Sequence, residues 1–324
     1  MTFNRRTLLA ASLAAASAMP HAAMAQSFPD KPITFVVPFA AGSATDQIAR
    51  AIGQSVSVET KQSVVIDNKA GASGFIASSQ VAKAAPDGYT VLITTNTTHA
   101  ANEHLYKKIP YDPVKDFAPL TALGKGGQIM VVNPVLPAKT VGEFIALAKK
   151  EPGKYSFGSG SSSSRMAGEL LQQMAGIKLL HVPYKSNPLA VTDLLGNQIN
   201  MMITDTATGL PQVKAGKLRA LGMSSSKRSP LAPDVPTIDE AGVKGYEMGY
   251  WFAAYAPAGT PAPVVKRLNE LLVRAARGEA ARTSFYEPTG TEVFTTTPEE
   301  LGKFQASESQ KWAHIIKGAG IDAE

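Results

Sequence analysis

The residues best placed to do chemistry fall in two runs of small side chains, each set between an apolar run and a helical pattern. One is Gly158-Ser159-Gly160-Ser161-Ser162-Ser163-Ser164-Arg165. It follows Tyr155-Ser156-Phe157 and feeds Met166, Leu170, Leu171 and Met174, spaced i, i+4, i+5, i+8. The other is Phe39-Ala40-Ala41-Gly42-Ser43-Ala44-Thr45-Asp46, between Ile33–Val37 and a pattern of Ile48, Ala51 and Ile52. Small residues let backbone approach a ligand closely. A helix start offers N–H groups without intrahelical partners, in the positive field of the helix dipole. Each run therefore reads as half of an anion site. In the Ser-rich run the hydroxyls add donors, and Arg165 adds a planar fork that fits a carboxylate or caps locally. Taken alone, that run reads equally well as a flexible Gly/Ser linker. Ser43-Ala44-Thr45-Asp46 has the S-x-x-D form of a capping box, in which Ser43 accepts the Asp46 N–H and Asp46 accepts the Ser43 N–H. Asp46 is thus a cap before it is a ligand contact. Weaker candidates for reading the rest of a ligand are Asn96, Thr97, Tyr184, Asp205 and Thr206. Their plainer readings are an Asn/Thr turn, wall packing for Tyr184 and a turn cap for Asp205.

The elements around these runs alternate. Ile33-Thr34-Phe35-Val36-Val37 is a nearly continuous apolar run, the mark of a buried parallel strand. Val64-Val65-Ile66 and Val91-Leu92-Ile93 are the next strands, with helices between, and Thr94 to His99 lies at a strand's carboxyl end. This order predicts a doubly wound sheet with ligands at the carboxyl ends of strands. Gly124-Lys125-Gly126-Gly127 is read as a crossing into a second α/β run. That run has a helix near 141–150, strands near 155–157, 179–182, 200–203 and 218–223, and helices through Ala175, Leu189–Leu195 and Leu210–Ala215. Tyr250 to Tyr255 is an apolar stretch suited to crossing back, followed by helices from Pro261 and Pro298. The expected organisation is residues 26–124 plus 252–324 as one domain and 125–251 as the other. Two crossings make a hinge able to close over a cleft.

The chain has 324 residues, 44% hydrophobic and 18% charged, which leaves room for two such domains. It begins with a secretory signal: Arg5-Arg6, an apolar run from Leu8 to Met19 too short to span a bilayer, and the A-x-A site Ala23-Met24-Ala25. Adjacent arginines also permit a twin-arginine signal. Cleavage would remove residues 1–25 and lower the net charge from +6 to +4. This mild excess, without basic–aromatic interleaving, excludes a nucleic-acid partner and suits a small anion. The absence of cysteine excludes disulfides and thiol chemistry, and with an export signal it points to a bacterial periplasm. No G-x-S-x-G, H-E-x-x-H or G-x-G-x-x-G motif marks an enzyme, and neither a metal nor a cofactor is expected. His99 and His104 lie about 140° apart on a helix, and His181 and His314 read as packing residues.

Both loops, with Asp67-Asn68-Lys69-Ala70-Gly71-Ala72-Ser73-Gly74, Ala84-Ala85-Pro86-Asp87-Gly88-Tyr89-Thr90, His104 to Pro113, His181-Val182-Pro183-Tyr184-Lys185, Lys214 to Leu221 and Ala256 to Pro261, occur in order along nearly the whole mature chain. In these pieces the sequence resembles the Bug (TctC-like) family of periplasmic solute receptors for tripartite tricarboxylate transporters. The resemblance implies a type II periplasmic-binding-protein fold, two doubly wound α/β domains joined by a two-segment hinge. It also implies a carboxylate held by main-chain N–H groups of two loops with ordered water. The matching positions are Phe39 to Asp46 and Gly158 to Arg165. The first loop has fewer glycines than the family pattern. Arg165 stands near a family His, and Ser186-Asn187-Pro188 replaces a Gly-rich turn. The expectation is a monomeric, non-catalytic receptor for a di- or tricarboxylate, acidic amino acid or aromatic carboxylate, delivering to membrane permease subunits. Rival readings are a ligand sensor for a membrane kinase and a periplasmic hydrolase using Ser163 or Ser164 with a distant His.

Overall fold

The computed structural model describes residues 28–323; the expected signal peptide lies outside them. The first run alternates as expected: β1 (Ile33–Val37), α1 (Ala44–Thr60), β2 (Val64–Asn68), α2 (Phe75–Ala82) and β3 (Thr90–Thr95). A wide helical turn, Thr97–Ala101, and the short α3 (Asn102–Leu105) then lead to β4 (Phe117–Val132). Next come α4 (Val141–Lys150), β5 (Ser156–Ser159), α5 (Ser162–Ala175), β6 (Leu180–Pro183), α6 (Asn187–Leu195), β7 (Met201–Asp205), α7 (Thr206–Lys214) and β8 (Arg219–Met223). The chain returns through β9 (Gly249–Pro257) to α8 (Ala262–Arg277), and ends in α9 (Pro298–Gly318).

The strands form one curled sheet in the order β2-β1-β3-β9-β4-β7-β5-β6, with β8 also on β4. It has two halves of the same design. In one, β1 is flanked by β2 and β3, all parallel; in the other, β5 is flanked by β6 and β7, again parallel. In each half the first strand feeds a helix and a neighbour on one side, and the next crossover passes to its other side. The strand order therefore reverses at β1 and at β5, and a crevice opens at the carboxyl ends of those two strands. The loops that leave those ends are Pro38 to Ser43 and Gly160-Ser161. Ile33, Phe35, Val36 and Val37 are all buried, because helices cover both faces of the sheet. One stripe of α1, Ile48, Ala49, Ile52 and Val56, packs on it together with Leu268, Leu271 and Leu272 of α8.

Three local expectations differ from the structure. Gly124 to Gly127 is not a separate link ahead of a strand: β4 runs through it without a break. The reason is the antiparallel ladder with β9, which pairs Gly124 with Phe252, Lys125 with Trp251 and Gly126 with Tyr250. At Gly126 a Cβ would lie 2.6 Å from the Tyr250 hydroxyl, so the missing side chain makes room for that ring. β7 extends to Asp205, and α7 starts at Thr206 rather than near Leu210, because the Asp205 carboxylate caps it by accepting the Thr208 N–H at 2.8 Å. His314 is exposed on α9 and is not a packing residue.

Candidate functional site

Four helices begin at this crevice: α1 capped by Ser43, α5 by Ser161, α6 starting after Ser186, and α7 by Asp205. Each helix start carries roughly half a positive charge. They meet at a small cavity lined by Phe39, Ser43, Ala44 and Thr45 from one half, and Gly160, Ser161, Ser163, Asn187 and Asp205 from the other. Thr95, Gln128, Tyr250 and Phe252 close it from the joining strands. These lining residues include no lysine, arginine or histidine. The polar groups of this lining are hydroxyls, the amides of Gln128 and Asn187, and the Asp205 carboxylate.

The first cradle is held from behind. Ser43 Oγ accepts the Asp46 N–H at 3.3 Å, as the S-x-x-D pattern predicts. The return bond goes elsewhere: Asp46 Oδ2 accepts the N–H of Gly42 at 2.9 Å, while the Ser43 N–H turns to Ala40 O. Arg50 and Asn68 also donate to Asp46, each at 3.0 Å, and the Asn68 amide reaches Phe39 O at 3.0 Å. Burial alone would raise the Asp46 carboxyl, but Arg50, Gly42 and Asn68 outweigh it and hold it below the usual carboxylate value. Asp46 therefore shapes the loop from outside the cavity wall. Ala41 and Gly42 are exposed, with Gly42 at φ 82°, where the missing side chain permits the turn. This bracing leaves the N–H groups of Ala44 and Thr45 at the cavity with no acceptor from the helix.

The second cradle rests on α6. The Gly160 N–H donates to Asn187 Oδ1 at 2.9 Å, and Asn187 Nδ2 donates to Asp205 Oδ2 at 2.7 Å. A Cβ on Gly160 would meet the Ser186 carbonyl carbon at 1.9 Å, so only glycine lets the turn lie this close. Ser161 Oγ accepts the Ser164 N–H at 3.2 Å and pairs with Ser163 Oγ at 3.1 Å. Ser164 Oγ is turned inward to Ile203 O at 2.6 Å. Ser162 Oγ donates to Asn102 Oδ1 at 2.9 Å and so ties α5 to the other half. Thr206 Oγ1 lies 3.4 Å from the Tyr250 hydroxyl and bonds Thr289 O, a second tie between the halves. Burial pushes the Tyr250 hydroxyl up to about 12, so it serves as a neutral hydrogen-bonding group.

Of the sequence candidates, Phe39, Ser43, Ala44, Thr45, Gly160, Ser161, Ser163 and Asp205 line this cavity. Asn96 and Thr97 are fully buried at the end of β3, beside Thr95, which lines it in their place. Ser159, Ser162, Arg165 and Tyr184 face a second cavity behind the Gly160-Ser161 turn, together with Lys185 and His181. There Arg165 lies 3.9 Å from Glu169, Tyr184 donates to Asp193 at 2.7 Å, and His181 is hydrogen-bonded to Ser159 Oγ at 2.7 Å as well as packed on Phe157. Five lining residues had no place among the candidates: Thr95, Gln128, Asn187, Tyr250 and Phe252. Signals for some existed. Ser186-Asn187-Pro188 has the form of a helix start, Gln128 is a lone polar residue ahead of an apolar strand, and Tyr250 and Phe252 share a face at i, i+2.

The family model described as tripartite tricarboxylate transporter family receptor (TctC) matches residues 48–321. The chain is similar to protein BugT of Bordetella pertussis, 34% identical over 299 residues that cover 91% of each chain. Among solved structures it is similar to R. palustris Rpa4515 with adipate, with 34% identity and a TM-score of 0.88 over 92% of this chain and 100% of that one. It is similar also to MatC (Rpa3494) from Rhodopseudomonas palustris with bound malate, with 31% identity and a TM-score of 0.84 over 89% and 100%. With its family model, its relatives and its two-halved fold in agreement, the chain belongs to the Bug (TctC-like) family of periplasmic solute-binding receptors of tripartite tricarboxylate transporters.

Proposed function

We propose that this receptor captures one small carboxylate between the cradles Phe39–Asp46 and Gly158–Arg165 and delivers it to the permease subunits of a tripartite transporter. It acts in the periplasm, as a monomer and without catalysis. Residues 26–124 with 252–324 form one lobe and residues 125–251 the other; the strands between them are the hinge. The observation that carries this reading is the convergence of four helix starts on a cavity whose wall has no cationic side chain. Charge-assisted hydrogen bonds contribute roughly 1.5–3 kcal/mol each. Micromolar affinity needs about −8 kcal/mol, so a handful suffices after the costs of desolvation and closure. Adipate and malate in related receptors place aliphatic diacids first among the candidates. Acidic amino acids and aromatic carboxylates such as terephthalate follow.

A thermal-shift screen of these acids tests the reading. A ligand at a hundredfold its dissociation constant stabilises the fold by about 2.7 kcal/mol. Amides or esters of the best acid should give no shift; equal shifts for acid and amide would overturn the clamp. The hydrolase reading is disfavoured by the serines themselves, since Ser164 Oγ is spent on Ile203 O and Ser163 Oγ on Ser161.

A further inference from the structure

Several polar side chains around the cavity are spent within the protein. Asp205 accepts from Thr208 N–H and Oγ1, from Asn187 Nδ2 and from Thr204 Oγ1, which saturates it. Asn187 uses its amide on Gly160 and Asp205, and Tyr250 shares its hydroxyl with Thr206 and Thr291. Gln128 differs. It lines the cavity and is only 1% exposed. Its Oε1 is fully enclosed, and Nε2, which has no hydrogen-bond partner, is the amide atom left accessible. Amide hydrogens held this close to the interior are costly unless an acceptor comes to them. The stem of the side chain is fixed. The Gln128 backbone N–H donates to Ser224 Oγ at 2.6 Å, and its carbonyl accepts the Ser224 N–H at 2.8 Å. With no lysine, arginine or histidine in the lining, Gln128 Nε2 is a side-chain nitrogen donor that no cation rivals.

From this we infer that Gln128 is a specificity-determining residue, whose Nε2 donates to a second oxygen of the bound acid, beyond the carboxylate held by the cradles. The inference rests on the carboxylate reading above and narrows its ligand class to acids with a further carboxylate or carbonyl oxygen. An amide nitrogen carries two hydrogens and accepts nothing. A carboxylate or carbonyl oxygen satisfies it, a methyl group leaves it unpaired, and an ammonium opposes it. A site built to hydrogen-bond one ligand group discriminates strongly against the analogue that lacks it, because its own polar group is then left unpaired.

The test is calorimetric binding of two series of acids to the purified protein and to Gln128→Met, which keeps the length and removes the donor. One series is succinate, butanoate and 4-aminobutanoate, the other adipate, hexanoate and 6-aminohexanoate; within each, only the far end changes. In the series whose length fits, the wild type should bind the diacid about tenfold or more tighter than the methyl-ended acid, and the ammonium-ended acid weakest. Gln128→Met should weaken the diacid about tenfold and leave the methyl-ended acid unchanged, a split that general damage to the cradles would not produce. Gln128→Glu, which replaces the donor by an acceptor, should weaken the diacid and strengthen the ammonium-ended acid, and it serves if the Met variant folds poorly. A wild type that prefers the ammonium-ended acid presents the amide oxygen to its ligand, which overturns the inference. A diacid-to-methyl ratio near one in the wild type, or unchanged in both variants, overturns the role of Gln128 and leaves the clamp standing. A wild type that binds no carboxylate overturns the clamp and this inference together.

Discussion

His99 is a residue whose burial has a measurable consequence. It is fully enclosed, with its ring stacked on Tyr255 at a centroid distance of 3.9 Å and Nδ1 2.8 Å from Thr98 Oγ1. Burial lowers it from the ordinary 6.5 to about 3, so the folded protein keeps it neutral. Above pH 6.5 neither state carries the proton and folding is not opposed. As pH falls from 6.5 towards 3, the unfolded chain binds a proton that the folded one refuses. Stability then drops by up to about 1.4 kcal/mol per pH unit. The melting temperature should decline between pH 6.5 and 5, before most carboxylates titrate, and His99→Gln should flatten that decline whatever its effect at pH 8. An equally steep decline in the variant would assign the acid sensitivity to other groups. Asp46 acts in the same direction, at lower pH. Its lowered value means its contribution is present above the usual carboxylate range and is lost only in stronger acid.

At the level of elements, the site depends on how closely the β5–α5 turn lies on the start of α6. The Gly160 N–H bond to Asn187 and the 1.9 Å approach of a would-be Cβ to Ser186 are two aspects of the same contact. Gly160→Ala must push the turn away from rigid backbone, and overpacking of this kind costs about 1–3 kcal/mol. Binding should suffer as well, because the shift displaces Ser161 and the N–H groups behind it. The expected result is a lower melting temperature in the free protein together with at least a tenfold loss of affinity, an estimate equal to about 1.4 kcal/mol. Gly176→Ala, where a Cβ meets nothing within 4 Å and only the left-handed φ of 62° is strained, should lower stability and leave affinity unchanged. Equal affinity losses in both variants would deny the turn a special place in the site.

For the whole molecule, the decisive property is that each half of the sheet brings a helix-start loop to one cavity. Ser162 to Asn102 and Thr206 to Thr289 are side-chain ties between the halves, and β4 and β9 are the continuous strands that join them. If these strands act as a hinge, a ligand that bridges the cradles favours the closed arrangement by its differential contacts. Small-angle scattering should then report a smaller radius of gyration with the best acid bound than without it. An unchanged radius at saturating ligand would mean that the cavity is filled without lobe movement.

Much of this molecule was legible in its amino acids. Ile33 to Val37 reads as a strand covered on both faces, because only Thr34 interrupts its apolar side chains. Ser43 had to begin a helix, because a short hydroxyl followed by Asp46 satisfies donors that the helix cannot. The small residues of both loops pointed to backbone that a ligand can approach closely, and both loops do line one cavity. What the chain order could not convey was which distant residues share a wall. Gln128 meets Asp205 only through the β4–β7 register, Asn187 reaches Gly160 only because the crossover after β6 returns to the other side of β5, and Tyr250 enters where Gly126 leaves room. Spacing along the chain fixes the face of a single helix or strand. The reversal of strand order turned Arg165 and Tyr184 to the rear of the second loop and brought Gln128 and Asn187 to the front, because pairing between remote strands, rather than local pattern, sets which faces meet.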